Sequence, residues 1–183
     1  DKEKNYKVLS DKIIFNRNKN IISSYGNTIF IFLDESNDNV IFEVSGENSF
    51  FNQNKKILEV NKNVVLKDLL NDYTIYSQKV IYNRDNEIFK SFEETKLNYK
   101  SEFVINTKDL SFDKRKNVFH SENKTTIVDN LNNTFKLSNF SLNLNNKIFK
   151  AEKIKLSDEK NNVLELKNGY VDLKSNELVG SDF

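Results

Sequence analysis

Apolar and polar residues alternate along this chain in short runs, and the runs break at asparagine, aspartate and lysine. One phrase keeps returning. FNRNKNIISS at 15–24 comes back as YNRDNEIFKS at 82–91, FDKRKNVFHS at 112–121 and LNLNNKIFKA at 142–151. Its anchor is a polar residue, found at Asn16, Asn52, Asn83, Asp113, Asn143 and Asp172 with spacings of 36, 31, 30, 30 and 29. Just before it stands an apolar, mostly aromatic column: Phe15, Phe51, Tyr82, Phe112, Leu142 and Val171. Seven residues after each ring comes a second apolar column, Ile22, Leu58, Phe89, Phe119, Phe149 and Leu178. Two further on the column is mostly small: Ser24, Val60, Ser91, Ser121, Ala151 and Gly180. Two before the ring lie Ile13, Ser49, Val80, Leu110, Phe140 and Gly169.

These offsets describe a hairpin. Residues two apart on a strand share a face. Asn or Asp after the ring opens a turn, because its side chain caps local backbone groups. The chain then returns and sets the second apolar column opposite the first. The spacing predicts an all-β protein of about six stacked antiparallel hairpins, roughly twelve strands in all. Sustained helical spacing is absent. Ile14 and Ile21 break the alternation, so a slip of one residue would invert every inward-facing assignment.

Composition narrows the function. Hydrophobic residues are only 37% of the chain, yet it holds 15 Phe and 7 Tyr, too many rings for a disordered segment. The net charge of +1 leaves no electrostatic footprint for nucleic acid. Lysine-rich stretches such as Asn54-Lys55-Lys56 and Lys114-Arg115-Lys116 read as solvated turns. Zero cysteine excludes disulfides and thiolate metal sites. No apolar run has the length of a helical membrane span, and the opening stretch does not read as a secretory leader.

Little here suits catalysis. His120 follows an inward residue and so points outward. Ser121, His120 and Asp113 are the residue types of a triad, but a triad is defined by geometry. DESNDN at 34–39 is acidic but lacks the glycine and terminal glutamate of a calcium loop, and reads as a long turn. The four glycines are not grouped into a phosphate cradle. The sequence therefore predicts no enzyme, no metal and no cofactor.

The fullest unit, IIFNRNKNIISSYGNTIFI with Gly26-Asn27 in place, resembles the OstA-type repeat of the lipopolysaccharide-transport proteins. The stretch LELKNGYVDLKSNELVGSDF resembles the end of the N-terminal periplasmic domain of the lipopolysaccharide-assembly outer-membrane protein family, LptD. Units two to five depart from the pattern, with Lys62-Asn63, Glu93-Glu94, Asn123-Lys124 and Lys153-Ile154 where Gly-Asn would stand. The resemblance implies a twisted, open OstA-like β-jellyroll over residues 1–183, a single domain excised from a longer chain with a C-terminal membrane barrel. It implies a periplasmic location at the outer membrane of a Gram-negative bacterium.

It also implies an apolar trough, open along one seam, that carries the acyl chains of lipopolysaccharide toward the barrel. The expected lining is Ile13, Phe15, Ile22, Phe51, Leu58, Val80, Tyr82, Phe89, Leu110, Phe112, Phe119, Phe140, Leu142 and Phe149. Unpaired strand edges favour head-to-tail β-addition of a periplasmic bridge protein of the same fold. Tyr6, Val8 and Ser10 are the candidate docking edge, unless the charged DKEK start covers it. The barrel and its plug lipoprotein are the further implied partners. The competing expectation is a β-repeat module with a closed dry core that makes protein contacts through its edges.

Overall fold

The structure is a computed structural model that describes residues 5–34, 39–160, 162–175 and 177–181. The described residues form 17 strands and no helix. In chain order they are β1 (Tyr6–Leu9), β2 (Lys12–Asn16), β3 (Ile21–Leu33), β4 (Val40–Asn52), β5 (Ile57–Asp68), β6 (Tyr73–Asn83), β7 (Ile88–Phe92), β8 (Glu94–Tyr99) and β9 (Phe103–Lys108). There follow β10 (Ser111–Asp113), β11 (Val118–Ser121), β12 (Thr125–Asp129), β13 (Thr134–Ser138), β14 (Phe140–Asn143), β15 (Ile148–Ser157), β16 (Val163–Asp172) and β17 (Glu177–Ser181). All pairings are antiparallel.

The repeat explains one layer of this jellyroll. Within each of the six hairpins the ring column pairs directly with the column seven residues on: Phe15 with Ile22, Phe51 with Leu58, Tyr82 with Phe89, Phe112 with Phe119, Leu142 with Phe149 and Val171 with Leu178. Neighbouring hairpins continue the row, pairing Ile22 with Phe51, Leu58 with Tyr82, Phe89 with Phe112, Phe119 with Leu142 and Phe149 with Val171. One unbroken apolar row therefore crosses the layer from Phe15 to Leu178.

The turns follow from the anchor residue. The side-chain oxygen of Asn16, Asn52, Asn83, Asp113, Asn143 or Asp172 accepts a backbone N–H two or three residues on, at 2.8–3.1 Å. Asn20, Lys56, Glu87, Asn117 and Lys147 close their turns with positive φ. Each closing carbonyl then accepts an N–H from the next turn, as in Gln53 N to Asn20 O at 3.0 Å and Leu144 N to Asn117 O at 2.9 Å. The turns thus stack as a ladder, which is why the asparagine-rich phrase recurs.

The second layer accounts for the strands beyond the expected twelve. β3, β4, β5, β6, β15 and β16 run through a bend, so one half pairs in the hairpin layer and the other half opposite it. β3 shows this: residues 21–25 pair with β2, and residues 29–32 with β1. β1, β8, β9, β12 and β13 complete this return layer. Positive φ marks the bends at Gly26, Asn27, Lys62, Asn63 and Glu93. Lys62-Asn63 thus adopts the left-handed geometry of Gly26-Asn27 without a glycine. The lack of a Cβ matters at Gly26, where one would collide with the Asp11 carboxylate.

The small column lies where the layers converge at these bends. Its hydroxyls form buried chains with threonines from the return side. Ser10, Thr28, Ser24 and Ser49 are linked at 2.5–3.1 Å. Ser77, Thr95 and Ser91 form a second group, and Thr107, Ser121 and Thr125 a third. Pairing satisfies groups that would otherwise be costly to bury.

Candidate functional site

The inward faces of the two layers meet through rings. Phe32 and Phe42 of the return layer pack edge-on against Tyr82 at 5.4 and 5.1 Å, and Phe42 packs against Phe89 at 5.0 Å. Tyr73 meets Phe112 and Phe119 at 5.2 and 5.3 Å, and Phe103 meets Phe149 at 5.6 Å. Of the predicted lining, Phe51, Leu58, Val80, Tyr82, Phe89, Leu110, Phe112, Phe119, Phe140, Leu142 and Phe149 all face inward and are buried. The expected open trough is therefore, through the middle of the stack, a packed interior.

The first hairpin differs. Ile13 and Phe15 share the inward face of their partners Ser24 and Ile22, yet are 48% and 47% exposed. Ile22 is half-buried against the core. Among the described residues β2 pairs only with β3, and none of them covers its inner face. The result is an apolar mouth at the N-terminal end of the stack.

Of the candidate docking edge, Tyr6 and Val8 lie on β1 and face Phe32 and Phe30 across the ladder. The Tyr6 ring packs on Phe51 at 5.1 Å, and its hydroxyl accepts a 2.6 Å bond from Gln53 Nε2. Among the described residues β1 pairs only with β3, so its other edge is open. Ser10 lies between β1 and β2, where its hydroxyl donates to the carbonyls of Tyr25 and Gly26 at 2.9 Å. It therefore braces the bend rather than presenting to a partner. The DKEK start lies outside the described residues.

The side opposite the bends is a seam between two rows of turns, and polar contacts cross it at three levels. Gln53 reaches Tyr6. Lys114 Nζ lies 3.7 Å from the buried Asp68 carboxylate and 4.9 Å from the centre of the Phe42 ring. Lys147 Nζ bonds both Glu102 oxygens at 2.9 and 3.0 Å. Several buried polar atoms here lack hydrogen-bond partners: Gln53 Oε1, Asp68 Oδ2 and the Tyr73 hydroxyl. Burial, and after it the Asp68 charge, pushes the Tyr73 phenol well above its ordinary value. Burial, then the Glu87 carboxylate, holds Tyr82 up at about 12. The seam is closed, but by contacts less complete than those at the bends.

The residue types of a triad do not assemble. Ser121 is buried and donates to Lys108 O at 2.7 Å. His120, next on the strand, lies on the opposite face with Nδ1 3.0 Å from Phe140 O. Asp113 is occupied by its own turn and by Lys116. The stretch 34–39 proposed as a turn is described only at its ends, where Asp34 N donates to Asn39 O at 2.8 Å. Among the described residues no three His, Cys, Asp or Glu side chains group as metal ligands.

A twisted two-layer jellyroll of stacked hairpins, with a ring-lined interior and end strands that pair on one side only among the described residues, defines a class of β-repeat protein. Residues 2–101 match the family described as OstA-like protein, and the chain belongs to that family. Among solved structures its fold is similar to that of LptH from Pseudomonas aeruginosa. That protein is described as the LptA-homologous periplasmic component of the conserved lipopolysaccharide transport device. The likeness has a TM-score of 0.52 at 10% identity, over 62% of this chain and 78% of LptH. No curated protein matches the chain by sequence.

Proposed function

We propose that this chain is a non-catalytic lipopolysaccharide-transport domain that takes acyl chains against its inward apolar face. The observation that carries the reading is the mouth at Ile13 and Phe15: an inward-facing apolar surface, continuous with the interior row, that no described residue covers. Acyl chains leave water there at about 0.8 kcal/mol per buried methylene. Successive positions along the row are chemically alike, so a chain moves between them without a deep trap. Further travel requires the layers to part at the seam. The sugars stay outside. Family membership and the likeness to LptH support a periplasmic setting. The closing stretch LELKNGYVDLKSNELVGSDF favours the N-terminal domain of LptD, delivering to a membrane barrel and its plug lipoprotein. The open edge of β1 suits β-addition of a bridge protein of the same fold.

A second reading has its own support. The interior from Phe51 to Phe149 is sealed, as a protein-contact module with a dry core requires. Titration calorimetry separates the two. The parent chain is titrated with lipopolysaccharide and with its polysaccharide freed of acyl chains. Binding of the acylated form only, abolished by Ile13→Asp with Phe15→Asp, is the expected result. No binding of either form, by a folded sample, sinks the carrier reading.

A further inference from the structure

Charge is sorted along the seam. The turns of the hairpin layer carry mostly Lys and Arg, whereas those of the return layer carry Asp72, Glu102, Asp158 and Glu159 beside Lys100 and Lys160. Within the basic rim the cations fall into two groups. In the last three hairpins each is engaged: Lys114 with Asp68, Arg115 with Asp85 O, Lys116 with Asp113, Lys147 with Glu102 and Lys174 with Asn145 O. In the first three, Lys56 pairs with Asp85. Arg17, Lys19, Lys55 and Arg84 have no carboxylate partner among the described residues.

Two of these four cations stand beside the apolar mouth, and the other two continue the rim away from it. Arg17 and Lys19 lie in the turn that follows Phe15, and the next two turns bring Lys55 and Arg84. Hydrogen bonds from turn to turn lock the first three turns together, at 3.0 Å for both Gln53 N to Asn20 O and Arg84 N to Lys56 O. Neighbouring hairpins are two strands apart, so the cations recur about every 9–10 Å along the rim. An apolar mouth with an adjoining fixed row of unpaired cations matches an amphiphile whose headgroup bears more than one anionic group.

We propose that Arg17, Lys19, Lys55 and Arg84 form a phosphate-binding rim that seats the headgroup of a phosphorylated lipid while its acyl chains lie on Ile13 and Phe15. Phosphate suits the site because Arg and Lys donate charge-assisted bonds to its oxygens. The proposal rests on the lipid-carrier reading and adds which part of the lipid this rim holds.

The test compares diphosphoryl lipid A with its fully dephosphorylated form, each in micelles of uncharged detergent. The rim variant carries Gln at Arg17, Lys19, Lys55 and Arg84. A control variant carries Gln at Lys90, Lys96, Lys136 and Lys150, which are exposed strand residues with the same loss of charge. The rim variant is expected to bind the diphosphoryl lipid about tenfold more weakly or worse, with the dephosphorylated lipid unaffected and the control like the parent. Equal losses in both variants would overturn the proposal, because general charge would then explain the binding. A rim variant that binds like the parent would also overturn it while leaving the carrier reading intact. A folded parent that binds neither lipid would remove the carrier reading and this proposal together.

Discussion

Phe15 and Phe112 occupy the same column of the same repeat, and each faces a large apolar partner across its hairpin. Phe112 is 1% exposed and Phe15 is 47% exposed. The difference is position in the stack. Phe112 has hairpins on both sides and Tyr73 from the return layer above it, whereas among the described residues β2 has a neighbour on one side only. One repeat therefore supplies a core where it is flanked and an exposed apolar surface where it ends.

The largest expected effect lies in the middle. Phe112→Ala should cost about 3–5 kcal/mol of stability in urea unfolding, since it empties a packed site. A loss below about 1 kcal/mol would mean that the middle is already loose. Next comes Lys114→Ala, which leaves the Asp68 carboxylate buried without its cation and should cost about 3 kcal/mol. Lys147→Ala at the more exposed level of the seam should cost under about 1 kcal/mol. Similar losses at both levels would erase the distinction between a buried and a surface latch.

Tyrosine titration gives a signal between those of Phe112→Ala and Lys147→Ala. Tyr82 ionises at about 12 in the fold against an ordinary value of 10. Its contribution is fully present below pH 10 and is lost as pH rises through 12, about 2–3 kcal/mol in all. Tyr82→Phe should flatten that part of the alkaline stability profile, read as urea midpoints across the range. An unchanged slope would mean that Tyr82 reaches water. A small loss also belongs to the mouth. Phe15→Ala should cost about 1 kcal/mol of stability and yet weaken lipopolysaccharide binding measurably. A loss as large as that of Phe112→Ala would make the mouth ordinary core.

The hairpin layer was legible because its signals are local. Ring, Asn or Asp, polar turn and returning apolar residue all lie within ten positions, and the pairings of Phe15 with Ile22 through Val171 with Leu178 follow from them. The return layer was less legible. Its strands follow bends that need no glycine, as at Lys62, Asn63 and Glu93. Thr28, Thr95, Thr107 and Thr125 were the overlooked signal there, since each joins a buried hydroxyl chain at a bend. The latches were invisible for a different reason. Lys114 and Asp68 belong to separate turns that meet only when the layers close. The exposure of Ile13 and Phe15 could not be read from their columns, because apolar residues recur in both along the stack and only the stack has an end.

The most direct measurement is photo-crosslinking along the ring column. A photoreactive residue is placed singly at Phe15, Phe51, Tyr82 and Phe112, with Ile14 and Ser111 as outward controls, and lipopolysaccharide is added before illumination. Strong labelling at Phe15, falling along the column to background at Phe112, is the predicted result, with Lys114→Ala raising the yield at the inner positions. Labelling at Ile14 or Ser111 instead, or none anywhere in a folded sample, would contradict the account.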